Sequence, residues 1–260
     1  MDWCERGFLT IDGVRLEYSC SGPTPSDAPT AILLHEGLGC VDLWRDFPGA
    51  LAKTLDCGIF SYSRQGYGAS DKVQLPRPLN YMTQEAINVL PKVIEQLSPT
   101  RFQLIGHSDG ATIAAIYAGE VGDDKLSSIT LIAPHFFTEE MGITQIKAAK
   151  QTFETTDLPE KLGKYHQDAE NAFYGWNQSW LHPDFRSWDV QYVIEKITTP
   201  ILAIQGVDDQ YGTLLQIETI KARARASVSV EILQNCKHSP HLEHPSKVLD
   251  AIKAFSAAFR

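Results

Sequence analysis

The chain has 260 residues, of which 43% are hydrophobic, and it carries a formal net charge of −9 at pH 7. This length and apolar content fit one main α/β domain with a sizeable core. The acidic balance and the lack of a lysine- or arginine-rich block argue against a nucleic-acid-binding scaffold.

The N-terminal sequence lacks the features of a secretion signal, because residues 1–6 do not combine a basic start with an apolar run. No stretch reaches the roughly 18 apolar residues that a membrane-spanning helix needs. The cysteines are odd in number and lack CxxC spacing, which favours reduced thiols over disulfides. We therefore expect a cytoplasmic protein without a membrane span and with free thiols at Cys4, Cys20, Cys40, Cys57 and Cys236.

The first predicted elements are the two strands of a hairpin. Residues 8–11 and 14–19 alternate apolar and polar side chains on either side of Asp12-Gly13, a strong signal for a two-residue turn. Short apolar runs follow, most of them separated by helix-length segments, as expected for buried parallel strands. Right-handed crossovers between such strands give a doubly wound sheet. The predicted parallel strands are residues 31–34, 58–62, 102–105, 128–133, 201–205 and 228–233.

A pentapeptide after the third parallel strand carries the strongest catalytic signal. Its sequence, Gly-His-Ser-Asp-Gly at 106–110, lies between that strand and a small-residue stretch predicted to be helical. A serine at such a sharp turn needs glycines where strand and helix approach each other, and the bend exposes its hydroxyl. The helix N-terminus behind Ser108 favours negative charge, which suits a tetrahedral oxyanion. The pattern predicts a nucleophile elbow.

About sixty residues separate the strand at 128–133 from the strand at 201–205, and they are rich in aromatic side chains. This insertion is too long for a loop and predicts several helices that form a cap. A cap above the carboxyl ends of parallel strands encloses ligands. Most of these aromatic residues are expected to hold cap and core together, while Trp176 and Trp180 are candidates for contact with a substrate.

Candidate partners for the serine follow the last two strands. Two carboxylates, Asp208 and Asp209, follow the first of these strands, and two imidazoles, His238 and His241, follow the second. All of them reach the sheet edge that carries Ser108. In a catalytic triad a neutral imidazole takes the serine proton, and a carboxylate fixes its tautomer and stabilises the imidazolium. The order serine, acid, histidine matches one of the known triad arrangements.

A metal site is the competing interpretation of the histidines. His238, His241 and His244 recur at every third residue, but Pro240 and Pro245 break the helix that would align them. No acidic or cysteine partner completes a site with metal spacing. We expect neither a metal nor a cofactor.

Taken together, these motifs resemble the α/β-hydrolase superfamily over nearly the whole chain. Residues 34–39 (Leu-His-Glu-Gly-Leu-Gly) are similar to its His-Gly oxyanion loop, and residues 63–70 (Ser-Arg-Gln-Gly-Tyr-Gly-Ala-Ser) to its Asp-x-Arg-Gly-x-Gly-x-Ser segment. The resemblance implies an α/β-hydrolase fold, a doubly wound and mostly parallel sheet with a helical cap insertion. Residues 1–134 and 200–260 would then form the core, and residues 135–199 the cap.

The resemblance also implies roles for individual residues. Glu36 stands where the family usually has glycine, so the first oxyanion amide is assigned to Gly37, and the Glu36 side chain is expected near the pocket. The family's Gly-x-x-Asp spacing assigns the triad acid to Asp209, with Asp208 as the weaker alternative. A histidine followed by Ser-Pro and then Leu-Glu-x-Pro assigns the base to His238.

Asp109 departs from the usual uncharged residue after the serine. Its amide remains the second oxyanion donor, because that role belongs to the backbone. Its carboxylate has two possible roles: it caps or pairs within the fold, or it faces the pocket and binds a cationic group. The second role resembles the valacyclovir-hydrolase-like branch and would favour amino-ester substrates.

These predictions lead to three hypotheses of function. The first is a serine hydrolase of small carboxylic esters that works through an acyl-enzyme, acts on a small-molecule substrate and exists as a monomer or homodimer. The second is a C–C bond hydrolase of ring-cleavage products, because that branch shares the fold and the triad. The third is a catalytically silent ligand-binding protein, against which the complete triad argues.

Overall fold

The computed structural model describes residues 3 and 5–258, so the thiol predicted at Cys4 lies outside the described residues. Its centre is an eight-stranded sheet with the order β1-β2-β4-β3-β5-β6-β7-β8. The hairpin and the six later strands predicted from the sequence are confirmed, with ends that shift by at most two residues. The strands are β1 (Arg6–Ile11), β2 (Val14–Ser21), β3 (Thr30–Leu34), β4 (Gly58–Tyr62), β5 (Phe102–His107), β6 (Leu126–Ile132), β7 (Ile201–Gly206) and β8 (Val228–Leu233).

Helices separate most of the strands. A π-helical turn, Glu85–Val89, joins the second helix to the third, and another, Tyr117–Val121, extends the fourth. Three 3₁₀ helices cover Val41–Trp44, Pro183–Ser187 and Gln191–Lys196. The α-helices are α1 (Phe47–Leu55), α2 (Tyr81–Gln84), α3 (Leu90–Leu97), α4 (Asp109–Ile116), α5 (Glu140–Thr155), α6 (Leu158–Leu162), α7 (Ala169–Leu181), α8 (Leu215–Arg223), α9 (Pro240–Glu243) and α10 (Pro245–Ala257).

The sheet begins antiparallel and continues parallel. Strands β1 and β2 pair through a tight turn in which Asp12 and Gly13 both have positive φ, at 50° and 83°. Two successive residues with positive φ suit the right-handed twist of a hairpin. From β4 to β8 every pairing is parallel. The carboxyl ends of β3, β5, β7 and β8 therefore meet at one edge.

Both faces of the sheet are covered, which explains why its central strands are mostly apolar. In β3, Ala31 and Leu33 pack in the core layer that contains α1 and α10. Their neighbours Ile32 and Leu34 pack in the layer that contains α3 and α4. Successive side chains of a strand point to opposite faces, so a strand buried on both sides carries apolar residues on both of its faces.

Residues 135–199, which lie between β6 and β7, contain α5, α6 and α7 and are called the cap segment below. Its aromatic side chains pack mainly on one another: the rings of Phe153 and Phe173 stack at 3.8 Å, and those of Phe185 and Trp188 at 5.1 Å. Among the described residues, no helix has the length and apolar character needed to cross a membrane. The described cysteines are buried and form no disulfide with one another: Cys20, Cys40, Cys57 and Cys236.

Candidate active site

The predicted nucleophile lies at the junction of β5 and α4. Ser108 has φ 53° and ψ −118°, a strained conformation for a residue with a side chain. A Cβ at Gly106 would overlap the Gly110 carbonyl, and a Cβ at Gly110 would overlap the Leu34 carbonyl. Only glycine fits at these two positions, so the close approach of strand and helix holds the serine at the bend.

The predicted acid and base are in direct contact. The Nδ1 atom of His238 lies 2.9 and 2.8 Å from the two carboxylate oxygens of Asp209. The Gln205 side-chain amide and the Tyr211 backbone amide also donate to this carboxylate, at 2.7 and 2.8 Å. Asp209 is only 6% exposed, whereas Asp208 is exposed and has no such contact with His238. The structure therefore brings Asp209, and not Asp208, to His238.

These contacts determine the protonation of the pair. Burial opposes ionisation of Asp209, but the hydrogen bond and charge interaction with His238, together with the bond from the Tyr211 amide, outweigh that cost, and the net effect lowers the pKa of Asp209. An ionised carboxylate only accepts hydrogen bonds, so His238 donates from Nδ1. In the neutral imidazole the second ring nitrogen, Nε2, then remains free to accept a proton.

Ser108 and His238 line one cavity of about 140 Å³ between the sheet edge and the cap segment. Cavities of this size accommodate a molecule such as benzene. Most of the wall is apolar or aromatic. The ten lining residues are Glu36, Gly37, Leu38, Ser108, His135, Ile146, Trp176, Trp180, Tyr211 and His238.

A second imidazole in this wall is kept neutral. Burial, with a smaller contribution from the neighbouring His238, lowers the pKa of His135 to about 3. The two rings lie 5.6 Å apart. His135 therefore stays uncharged near neutral pH beside the imidazolium that would form on His238, and it contributes bulk rather than charge.

Arg64 holds the predicted oxyanion loop in place through hydrogen bonds. Its backbone N–H donates to Nε2 of His35 at 3.0 Å, so the proton of that ring is on Nδ1, which donates to the Glu36 carbonyl at 2.7 Å. The Arg64 guanidinium also donates to the carbonyls of His35 and Glu36. These bonds fix the loop that carries Gly37.

The Asp109 carboxylate lies in a buried polar cluster and is not among the residues that line the cavity. It accepts a hydrogen bond from the Tyr81 hydroxyl at 2.5 Å. Burial raises the pKa of Asp109, while the nearby Arg64 and the bond from Tyr81 oppose this effect. This position favours the structural interpretation of the carboxylate. The backbone N–H of Asp109 is that of the first residue of α4, and first-turn N–H groups have no partner within their helix.

Glu36 lines the cavity with a side chain that is 29% exposed. Its Oε2 lies 3.6 Å from Nδ1 of His107, whose Nε2 donates to the His238 carbonyl at 2.7 Å. Burial opposes ionisation of Glu36, but the contacts with His107, together with His35 and a backbone hydrogen bond, outweigh it and hold the pKa of that carboxyl well below its usual range. The cavity thus has an ionised carboxylate next to Gly37.

Comparison with known proteins agrees with this geometry. The model of the Alpha/beta hydrolase family matches residues 31–251, which include the elbow and both candidate partners. The chain belongs to the α/β hydrolase family.

Relatives of this α/β hydrolase include monoacylglycerol lipase ABHD6 of Rattus norvegicus, 22% identical over 93% of this chain and 79% of the relative. A bifunctional esterase/perhydrolase DCH of Acinetobacter calcoaceticus is 25% identical over 78% of this chain and 82% of the relative. Similar solved structures include carboxylesterases of Nitrososphaera gargenis (TM-score 0.78, 18% identity, 97% of this chain and 98% of that one). Another is the enol-lactonase of Burkholderia xenovorans LB400 (TM-score 0.76, 17% identity, 96% and 100%). At these identities the structures show a shared fold.

The three histidines with metal-like spacing make different contacts in the α/β hydrolase. The ring of His241 packs against Trp44 and Phe47, and His244 contacts the Asn235 carbonyl. Within the described residues, no group of three or more His, Cys, Asp or Glu side chains is arranged to hold a metal ion.

Some contributors to the site were not found by sequence reasoning. Arg64 occupies the variable position of the segment at 63–70, and Tyr81 belongs to no motif. Leu38 could have been noticed, because it follows Gly37 in the oxyanion loop. Ile146 and Tyr211 contribute to the cavity from the cap segment and from the loop after β7, where no motif marks them.

Proposed function

We propose that this α/β hydrolase is a serine hydrolase of small carboxylic esters and that it forms an acyl-enzyme on Ser108. One observation carries the proposal: the doubly hydrogen-bonded pair of His238 and Asp209 shares a small cavity with a serine on a strained strand-to-helix turn. A base oriented by an acid beside such a serine is the arrangement that nucleophilic acyl transfer requires.

In the first half-reaction, Nε2 of His238 takes the proton of the Ser108 hydroxyl while Oγ attacks the ester carbonyl. The carbonyl oxygen becomes an oxyanion, and the backbone N–H groups of Gly37 and Asp109 donate to it. His238 then gives its proton to the leaving alkoxide, the C–O bond breaks, and the acyl group remains on Ser108. Asp209 stays ionised and stabilises the transient imidazolium.

The second half-reaction repeats these steps with water. His238 removes a proton from water, the resulting hydroxide attacks the acyl carbon, and the same two amides hold the second oxyanion. The Ser108–acyl bond breaks, and Oγ regains its proton from His238. The products are a carboxylic acid and the regenerated enzyme.

The size and lining of the cavity favour small substrates that are either uncharged or cationic. Its volume of about 140 Å³ matches a short acyl group or one small ring, and Trp176 and Trp180 supply aromatic contact surfaces. The ten lining residues contain no lysine or arginine, so the carboxylate of an acidic ring-cleavage product would have no cation to bind. This feature favours the ester reaction over C–C bond hydrolysis, and Glu36 is placed to contact a polar group of the substrate.

The test combines a Ser108→Ala variant with covalent labelling. Wild-type protein is expected to hydrolyse 4-nitrophenyl acetate with burst kinetics and to react with a fluorophosphonate at Ser108, as located by mass spectrometry of peptides. Ser108→Ala should lose label and lower kcat by roughly 10³-fold or more, because Oγ is the nucleophile.

Ser239→Ala, which alters a serine next to the base, is the matched control and should keep label and turnover. Wild-type protein without label, or Ser108→Ala with a tenth of the wild-type rate in preparations free of contaminating esterase, would contradict the proposal. Absence of label and turnover together would favour the silent binding protein.

A further inference from the structure

Helix α7 places two tryptophans, Trp176 and Trp180, in the wall of the cavity. We call them the tryptophan pair. They are four residues apart, so they lie on the same face of the helix, one turn from each other. Both side chains are buried. One helix of the cap segment therefore contacts the site at two points.

The first point is Gly37, the predicted first oxyanion donor. A Cβ atom at this position would overlap Cδ1 and Nε1 of the Trp176 indole. The indole thus rests directly on the backbone of the oxyanion loop and occupies the volume that a side chain at 37 would need. On the core side, the Arg64 guanidinium holds the same loop by donating hydrogen bonds to the carbonyls of His35 and Glu36. The loop is fixed between the cap segment and the core.

The second point is Asp109, the predicted second oxyanion donor, and it is reached through Tyr81. The Trp180 indole N–H donates to the Tyr81 hydroxyl at 3.0 Å, and this hydroxyl donates to the Asp109 carboxylate at 2.5 Å. An indole nitrogen can only donate, which fixes the direction of the chain. Trp180, Tyr81 and Asp109 are all buried, so each bond is shielded from water and costly to leave unmade.

We propose that α7 positions both amides of the oxyanion hole, through Trp176 on Gly37 and through the Trp180–Tyr81–Asp109 chain. Tyr81 is then a positioning residue: it does not line the cavity, yet it joins the cap segment to the first residue after the nucleophile. The inference deepens the proposed function and rests on it, because it assigns the oxyanion donors to that reaction. It also explains an acidic residue beside the nucleophile, where its carboxylate serves as an anchor.

The test is Tyr81→Phe, which removes both hydrogen bonds and keeps the ring. We expect kcat for 4-nitrophenyl acetate to fall about tenfold, less than the 10²- to 10³-fold loss of a deleted oxyanion donor, because the amide is displaced but still present. KM should change less than twofold. The inhibition constant of a trifluoromethyl ketone, which forms an oxyanion adduct with a serine, should rise by the same factor as kcat falls.

Tyr62→Phe is the matched control. It removes another buried tyrosine hydroxyl, which donates to Glu85 at 2.7 Å outside the cavity. It should lower the melting temperature to a similar extent while kcat and the inhibition constant stay unchanged. If Tyr81→Phe does not fold, Trp180→Phe is the alternative, because it removes only the hydrogen bond from the Trp180 indole to the Tyr81 hydroxyl. It should change kcat and the inhibition constant by a smaller factor, about threefold.

The outcomes separate this inference from the proposed function. Wild-type protein that is labelled at Ser108, with Tyr81→Phe and Trp180→Phe kinetics equal to those of Tyr62→Phe, overturns the inference and leaves the proposed function intact. A change in KM alone in Tyr81→Phe and Trp180→Phe also overturns the inference and leaves the proposed function intact. Wild-type protein that is not labelled at Ser108 overturns both.

Discussion

At the scale of single residues, two carboxylates near Ser108 have different surroundings. Asp109 is buried, accepts from Tyr81 and lies outside the cavity lining, whereas Glu36 lines the cavity and is partly exposed. A carboxylate attracts a substrate cation only if the two can approach closely, because the interaction weakens with distance and with intervening water. Glu36 has this access, and Asp109 does not.

This difference predicts how the two residues affect an amino ester. Asp109→Asn should lower kcat/KM by the same factor, within about twofold, for an α-amino ester and for its analogue without the amino group. Glu36→Gln should lower it more for the amino ester, by about tenfold, the worth of a partly desolvated ion pair. Steady-state kinetics on the matched pair of esters measure both ratios. A tenfold selective loss in Asp109→Asn would show that its carboxylate reaches the substrate.

At the scale of elements, the loop after β3 that carries Gly37 depends on glycine for a packing reason. The Trp176 indole occupies the volume that a side chain at position 37 would need. By contrast, Gly49 in α1 has open space around it, because a Cβ atom there would have no neighbour within 4 Å. Adding a methyl group to a filled site forces side chains or backbone to move and costs about 1–3 kcal/mol. Adding one to an open helical position favours the helix.

Gly37→Ala should therefore lower the melting temperature and reduce kcat at least tenfold, because the new Cβ displaces either Trp176 or the loop amide. Gly49→Ala should keep full activity and melt at the same or a higher temperature. Adding Trp176→Leu to Gly37→Ala makes room for the methyl group and should restore part of the lost kcat. Thermal melts and esterase kinetics of the four proteins check this, and a fully active Gly37→Ala variant would show that the loop and Trp176 are not in tight contact.

The same elements show what the sequence could and could not predict. The strands, the elbow glycines and the short motifs around Ser108, Asp209 and His238 are local patterns, so the sequence predicts them. The bracing contacts are not local: Arg64 reaches back 29 residues to His35, and Trp180 reaches back 99 residues to Tyr81. Periodicity and spacing contain no information on such pairs. Asp109 remained undecided in the sequence because its partner comes from another helix.

At the scale of the whole molecule, the fold buries several imidazoles in the neutral state. Burial lowers the pKa of each below 6.5, in His135 to about 3. In the unfolded chain an imidazole is hydrated and takes up a proton near pH 6.5. As the pH falls below that value, the unfolded state binds protons that the folded state does not, and stability decreases. The residues concerned are His35, His135, His166 and His241.

Acidic groups act on other parts of the pH range. The lowered pKa of Asp209 contributes stability above the unfolded value near 3.8, and this contribution is lost only as the pH falls through the folded value. Burial raises the pKa values of Asp109 and Glu85, so as the pH falls these groups take up protons in the folded state before they do so in the unfolded state. This uptake stabilises the folded state at acid pH and partly offsets the destabilisation by the histidines. Between pH 7.5 and 5 we expect the histidines to dominate, because they are more numerous.

His135 allows this expectation to be measured. With a folded pKa of about 3 and an unfolded pKa near 6.5, it should destabilise the protein by about 2 kcal/mol at pH 5 relative to pH 7.5. His135→Asn has no group that titrates in this range. As the pH is lowered from 7.5 to 5, its free energy of unfolding should therefore fall by about 2 kcal/mol less than that of the wild type. His182→Asn, a change at an exposed histidine, should keep the wild-type slope. Urea unfolding at pH 7.5, 6.5, 5.5 and 5.0 gives the three slopes, and parallel curves for wild type and His135→Asn would mean that this imidazole is protonated in the folded protein.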